Sequence, residues 1–142
     1  MKSLTWRHIA LAAAVSALAL AITLAVCTGL TQHQKQQTKL KKLHLQQIRL
    51  AVKDYLRDHP GEEMNWPVFF VAGQRSGTIW CPSKQSEAPV WDLAGRLKDY
   101  LYQFPVDPSE EVPGVSLYYF ERRADEQRLG SCTEPDNFSL TL

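Results

Sequence analysis

The stretch from Ile9 to Leu30, IALAAAVSALALAITLAVCTGL, limits this chain more than any other feature. It has no ionisable side chain except that of Cys27. As a helix it is about 33 Å long at ~1.5 Å per residue, enough for the ~30 Å hydrocarbon core of a bilayer. Its large aliphatic residues, from Ile9 and Leu11 through Val26 and Leu30, favour insertion by roughly 3 to 5 kcal/mol together. Lys2 and Arg7 form a short basic region ahead of it, and Trp6 suits the membrane–water interface.

Three fates compete for such a segment. A secretory signal could be cut near Ser16-Ala17-Leu18-Ala19, but the apolar run continues well past the ~7–15 residues usual there. A lipoprotein signal would use Cys27, yet Val26 stands where a small residue belongs. The expectation is an uncleaved signal anchor.

Orientation is contested within the sequence. Lys35, Lys39, Lys41 and Lys42 follow the span closely, and the positive-inside rule would hold that end in the cytoplasm. Cys81 and Cys132 argue the other way. If paired, they require an oxidising compartment and close a long loop, for about 4 kcal/mol in the chain-entropy model. Two buried free thiols are the alternative. The expected placement is a single-pass membrane protein with its C-terminal part outside the cytoplasm.

From Thr31 to Asp58 there is neither Gly nor Pro, and Gln, Lys and Leu dominate. One helix is expected to continue here, with Leu45, Ile48, Val52, Tyr55 and Leu56 as its buried stripe. Leu43 and Leu50 fall on the opposite side. His59-Pro60-Gly61 ends the helix. The residues before about Leu40 read as a solvated stalk or a partner-binding face.

Beyond Glu62 the pattern turns to strands. Residues 67–72 (PVFFVA) and 77–82 (GTIWCP) read as a hairpin across Gly73-Gln74-Arg75-Ser76, and Pro82 to Pro89 as a polar loop. Val90, Leu93, Ala94, Leu97, Tyr100, Leu101 and Phe104 suggest an amphipathic helix of about 13 residues closed by Pro105. Residues 115–121 and 127–132 form a hairpin across Ala124-Asp125-Glu126, with 138–142 as an edge strand. The expected fold is therefore α+β: a long N-terminal helix, transmembrane then amphipathic, and a small antiparallel sheet domain with one extra helix. The expected organisation is a basic tail (1–8), a transmembrane helix (9–30), a juxtamembrane amphipathic helix (31–59) and a small β-rich domain (60–142).

No catalytic constellation is visible. His8, His33, His44 and His59 have no metal-ligand spacing to Cys or Glu, and no nucleophile-elbow motif occurs. Glu62-Glu63, Asp107 and Glu110-Glu111 read as solvated turn carboxylates rather than cation ligands. Lys and Arg total 16 against 15 Asp and Glu, so charge gives no sign of nucleic acid. The basic residues of 35–57 read as spread around a solvated helix. Trp66, Trp80 and Trp91 are expected to fill the core. Within the span, Ala13, Ala17, Ala21, Ala25 and Gly29 recur every fourth residue, a ladder that lets another helix approach closely. No enzyme activity, cofactor, metal or small-molecule substrate is expected. The partners expected are the bilayer and other membrane proteins.

The layout, together with Leu93, Leu97, Tyr100, Leu101, then Phe104-Pro105-Val106-Asp107-Pro108, Tyr118-Tyr119 and Leu129-Gly130-Ser131-Cys132-Thr133-Glu134, resembles the type IV pilins and type II secretion pseudopilins. That resemblance implies a structural subunit or accessory of a pilus or secretion assembly. The chain departs from the family at its start. His8-Ile9-Ala10 stands where a Gly followed by Phe-Thr-Leu-Ile-Glu carries processing and subunit registry. An anchored monomer or accessory subunit fits better than a major filament subunit. The other reading is a single-pass envelope protein, unrelated to pili, that binds a protein partner or the cell wall.

Overall fold

A computed structural model describes residues 2–109, 112–124, 126–135 and 138–142. Helix α1 runs from Lys2–Asp58 without a break, as the absence of Pro and the scarcity of Gly in that range allow. His59 N still bonds the Tyr55 carbonyl at 2.8 Å, and Gly61, at φ 83°, then turns the chain in the left-handed region that favours glycine.

The chain divides into two compact units, Met1–Thr38 and Lys39–Leu142. The first is helix alone. The second joins residues 39–58 of α1 to a six-stranded sheet. Its strands are β1 (Phe69–Gly73), β2 (Thr78–Cys81), β3 (Ser86–Trp91), β4 (Val115–Arg123), β5 (Glu126–Ser131) and β6 (Ser139–Thr141), in the spatial order β2-β3-β1-β4-β5-β6. The α+β class holds, and the sheet is mixed, because β1 and β3 run parallel, with Val71 beside Val90.

The β4–β5 hairpin falls where the sequence puts it, with Tyr119 opposite Gly130. Three local expectations fail. Residues 69–81 do not form a hairpin: β3 inserts between β1 and β2, and β2 pairs with β3 instead. Half of the loop expected over Pro82–Pro89, from Ser86 on, is strand, and Pro82–Lys84 form a 3-10 turn. Pro89 is tolerated there because β1 pairs only with Val90 and Trp91, so Pro89 has a neighbour, Thr78, on one side alone. The 13-residue helix shrinks to one turn, α2 (Leu93–Arg96), capped by Asp92 Oδ1 accepting from Gly95 N at 2.7 Å. Strand β3 has taken its first residues, and turns follow it.

The core lies between α1 and one face of the sheet. Leu45, Ile48, Val52 and Tyr55 meet Trp66, Phe70, Tyr118, Phe120 and Leu129. Leu56 packs half-buried beside them, while Leu43 and Leu50 are exposed. By alternation, Val71, Leu117 and Tyr119 face the other side and meet Cys81, Ala88 and Cys132 in a second cluster. Trp66 is buried, Trp91 half-buried, and Trp80, expected in the core, is 55% exposed on edge strand β2.

Candidate functional site

In the first unit, the residues from Ile9 to Leu30 form an apolar, exposed helical surface. The large aliphatic side chains from Ile9 to Leu30 are all more than half exposed. The few polar side chains are satisfied locally. Ser16 Oγ donates to the Ala12 carbonyl at 2.8 Å, Thr23 Oγ1 to Ala19 at 2.5 Å and Thr28 Oγ1 to Leu24 at 3.0 Å. These hydroxyls leave no unpaired O–H to face hydrocarbon, and the helix is long and apolar enough to cross a membrane. Ala13, Ala17, Ala21, Ala25 and Gly29 are exposed, and a Cβ on Gly29 would meet nothing within 4 Å. At ~100° per residue, successive ladder members stack but drift by about 40°.

The second unit contains a charged cluster in its interior. Lys41 and Asp107 have side chains 3% and 0% exposed, with Nζ 3.5 Å from Oδ1. Lys41 Nζ also donates to Glu134 Oε1 at 2.6 Å and Thr133 Oγ1 at 2.8 Å. Asp107 accepts from Ser109 N at 2.9 Å, Ser109 Oγ at 2.5 Å, and Ser131 Oγ and Thr133 Oγ1 at 2.6 Å each. Burial pushes the Asp107 carboxyl up, but the hydrogen bonds from Ser109, Ser131 and Thr133 outweigh it and hold it below the ordinary range. Beside them, His44 Nδ1 lies 2.8 Å from Tyr118 Oη. Burial lowers the His44 pKa despite the opposing pull of Asp107 and the Val106 carbonyl. Burial first, then the charges of Asp107 and Glu134, keeps the Tyr118 phenol protonated.

Local backbone explains how these groups meet. Pro105 is buried and Asp107 N bonds the Ser116 carbonyl at 2.9 Å, so the Phe104–Pro108 corner delivers the carboxylate inward. Strand β4 bulges at the same point, where its register with β1 shifts between Val71 and Gly73. Leu117 sits there at φ 62°, a strained position for a branched side chain. The bulge presents the Leu117 carbonyl to Cys132 N at 2.9 Å. Cys132 is disulfide-bonded to Cys81, which fixes the end of β5 to the end of β2 and positions Thr133 and Glu134 above Lys41.

The solvated reading of Asp107 is thereby corrected: a cation and a ring of hydroxyls make its burial tolerable. Glu62 bonds Arg96, while Glu110 and Glu111 lie outside the described residues. Among the described residues, no group of three or more His, Cys, Asp or Glu could hold a metal ion.

No family model, curated protein or solved structure matches the chain.

The sequence reading paired Cys81 with Cys132 but missed Lys41, Asp107 and Glu134. One signal was available. Lys41, Leu45, Ile48 and Val52 follow the spacing i, i+4, i+7, i+11, which places Lys41 on the apolar stripe. The other cations of this part of the helix are not spread around it, as expected. At ~100° per residue, Lys39, Lys42, Arg49, Lys53 and Arg57 fall within an arc of about 80°. The eye is misled because Lys41, which is buried, adjoins Lys42.

Proposed function

We propose that the chain is a single-pass, membrane-anchored structural and interaction protein of pilin-like organisation, a minor subunit or accessory of a pilus or secretion assembly. The carrying observation is the division of labour along α1. Its N-terminal part is apolar and unpartnered, while residues 39–58 are the spine of a folded sheet domain locked by a disulfide. In this reading the apolar helix anchors the chain in the bacterial inner membrane and uses its small-residue ladder for lateral contacts. The domain works in an oxidising compartment, periplasmic or extracellular, and acts by assembly without catalysis. Its interior charges hold the domain together and are too enclosed to meet a substrate.

The alternative, an envelope protein binding a partner outside any pilus, draws support from the missing processing site at His8-Ile9-Ala10. Cross-linking in intact membranes, with single cysteines placed along the ladder in a background lacking Cys27, separates the two. Contacts with copies of itself or with secretion-assembly subunits are expected through Ala17 and Ala21. A chain that cross-links to neither overturns the assembly reading. Mass spectrometry of the N-terminus adds whether Met1 is retained, as an anchor requires.

A further inference from the structure

Four cations without an ion pair line one side of α1 near an open strand edge. Among the described residues Lys39, Lys42, Arg49 and Lys53 make no ion pair, whereas Lys41, Lys84, Arg96, Arg123 and Arg128 all do. Arg49 Nε is buried without a hydrogen-bond partner. These four cations share one side of α1, and Lys42 on that side borders β6. Lys42 lies 5.6 Å from the Phe138 ring, and Lys42, Leu45 and Gln46 wall a groove of about 450 Å³ with Phe138, Ser139 and Leu140.

Strand β6 is the last of the sheet, paired only with β5. Leu142 N bonds the Gln127 carbonyl at 2.9 Å, so by alternation the main-chain groups of Leu140 face β5 and those of Ser139 and Thr141 face outward. That edge is short, three residues, but it carries no Lys, no Pro and no bulge to turn a further strand away.

We propose that this edge is a docking site for an extended acidic segment of another protein, which adds to β6 as a further strand and sets its carboxylates against Lys42, Arg49 and Lys53. The two halves of the surface select the occupant together. An open ladder of N–H and C=O groups pairs with a polypeptide strand and with no lipid or polysaccharide. A row of cations without an ion pair asks for negative charge along the same line. On α1, Lys42 and Arg49 are about 10 Å apart and Arg49 and Lys53 about 6 Å, at ~1.5 Å per residue. On one face of a strand, acidic residues two positions apart are about 6.6 Å from each other and four apart about 13 Å, intervals that long Lys and Arg side chains can reach across.

The test uses the full chain in detergent micelles and a fluorescein-labelled peptide of alternating glutamate and valine, about seven residues long. Anisotropy is expected to saturate with a Kd below about 1 mM. The triple variant Lys42→Gln, Arg49→Gln, Lys53→Gln is expected to weaken binding about tenfold. Thr141→Pro removes one outward N–H, a change an edge strand tolerates, and is expected to abolish binding. Thr141→Val keeps that N–H and binds as the parent does. The amides of Ser139 and Thr141 exchange more slowly with peptide present. Unchanged thermal unfolding checks that each variant folds. No binding at 1 mM overturns the proposal, as does equal binding by the triple variant or by Thr141→Pro. A triple variant that loses contact with phosphatidylglycerol in nanodiscs while peptide binding persists assigns the cations to lipid instead, and overturns it too.

Discussion

Replacing Lys41 with Met removes one charge from the interior and isolates another. The ammonium of Lys41 is 3% exposed and touches Glu134, Thr133 and Asp107 at 2.6, 2.8 and 3.5 Å. Met fills nearly the same volume, so a packing defect contributes little. Glu134 is 20% exposed and turns to water. Asp107 is fully enclosed and cannot. Removing one partner of a buried pair costs ~3–5 kcal/mol, and the donors left on Asp107 bring the expectation to about 3–4 kcal/mol. A domain of this size has a total of only ~5–15 kcal/mol. Urea unfolding of the full chain in detergent, followed by the fluorescence of Trp66 and Trp91, reads this directly. Asp107→Asn is expected to cost about 2 kcal/mol, because Lys41 keeps Glu134. The double variant should fall short of the summed losses by more than ~1.5 kcal/mol, since neither change then leaves a buried charge unpaired. A Lys41→Met loss below ~1 kcal/mol, or strict additivity, would refute the reasoning.

Replacing Cys81 and Cys132 with Ser removes the tie across 51 residues, and thermal unfolding should report a loss of about 4 kcal/mol, with reductant giving the same loss in the parent. Because folding depresses the Asp107 pKa, its stabilisation is complete above the unfolded value near ~3.9 and disappears as pH falls through the folded value, so Asp107→Asn should flatten acid unfolding in that window. Folding also lowers the His44 pKa, so the unfolded chain binds more protons just below ~6.5 and stability drops there as pH falls; an NMR midpoint for His44 above 6.5 would contradict this. Gly130 lies against the Tyr119 ring, where a Cβ would collide, so Gly130→Ala should cost ~1–3 kcal/mol in the same urea assay.

The helix and the β4–β5 hairpin were legible because their signals are local. Ile48, Val52 and Tyr55 repeat with the helical period, and residues 115–132 need only a tight turn to meet. Strand β3 was not, since β2 separates it in sequence from its parallel partner β1 and nothing local to Val90 and Trp91 reports that pairing. Leu97, Tyr100, Leu101 and Phe104, which keep a helical spacing while lying in turns, lent the short α2 most of its apparent length. The disulfide was readable as two cysteines in one domain. The charged cluster was not, because its members come from α1, the Pro105–Pro108 corner and the end of β5. A carboxylate in a turn is ordinarily solvated, and only the fold reveals the lysine that makes its burial tolerable.

Thiol trapping in intact cells, with Cys27 replaced by Ser and the chain recovered from carbonate-washed membranes, tests the account most directly. It predicts an integral membrane protein whose Cys81 and Cys132 accept maleimide only after unfolding and reduction. Release by carbonate, or two thiols that label in unfolded chain without reductant, would contradict an anchored domain in an oxidising compartment.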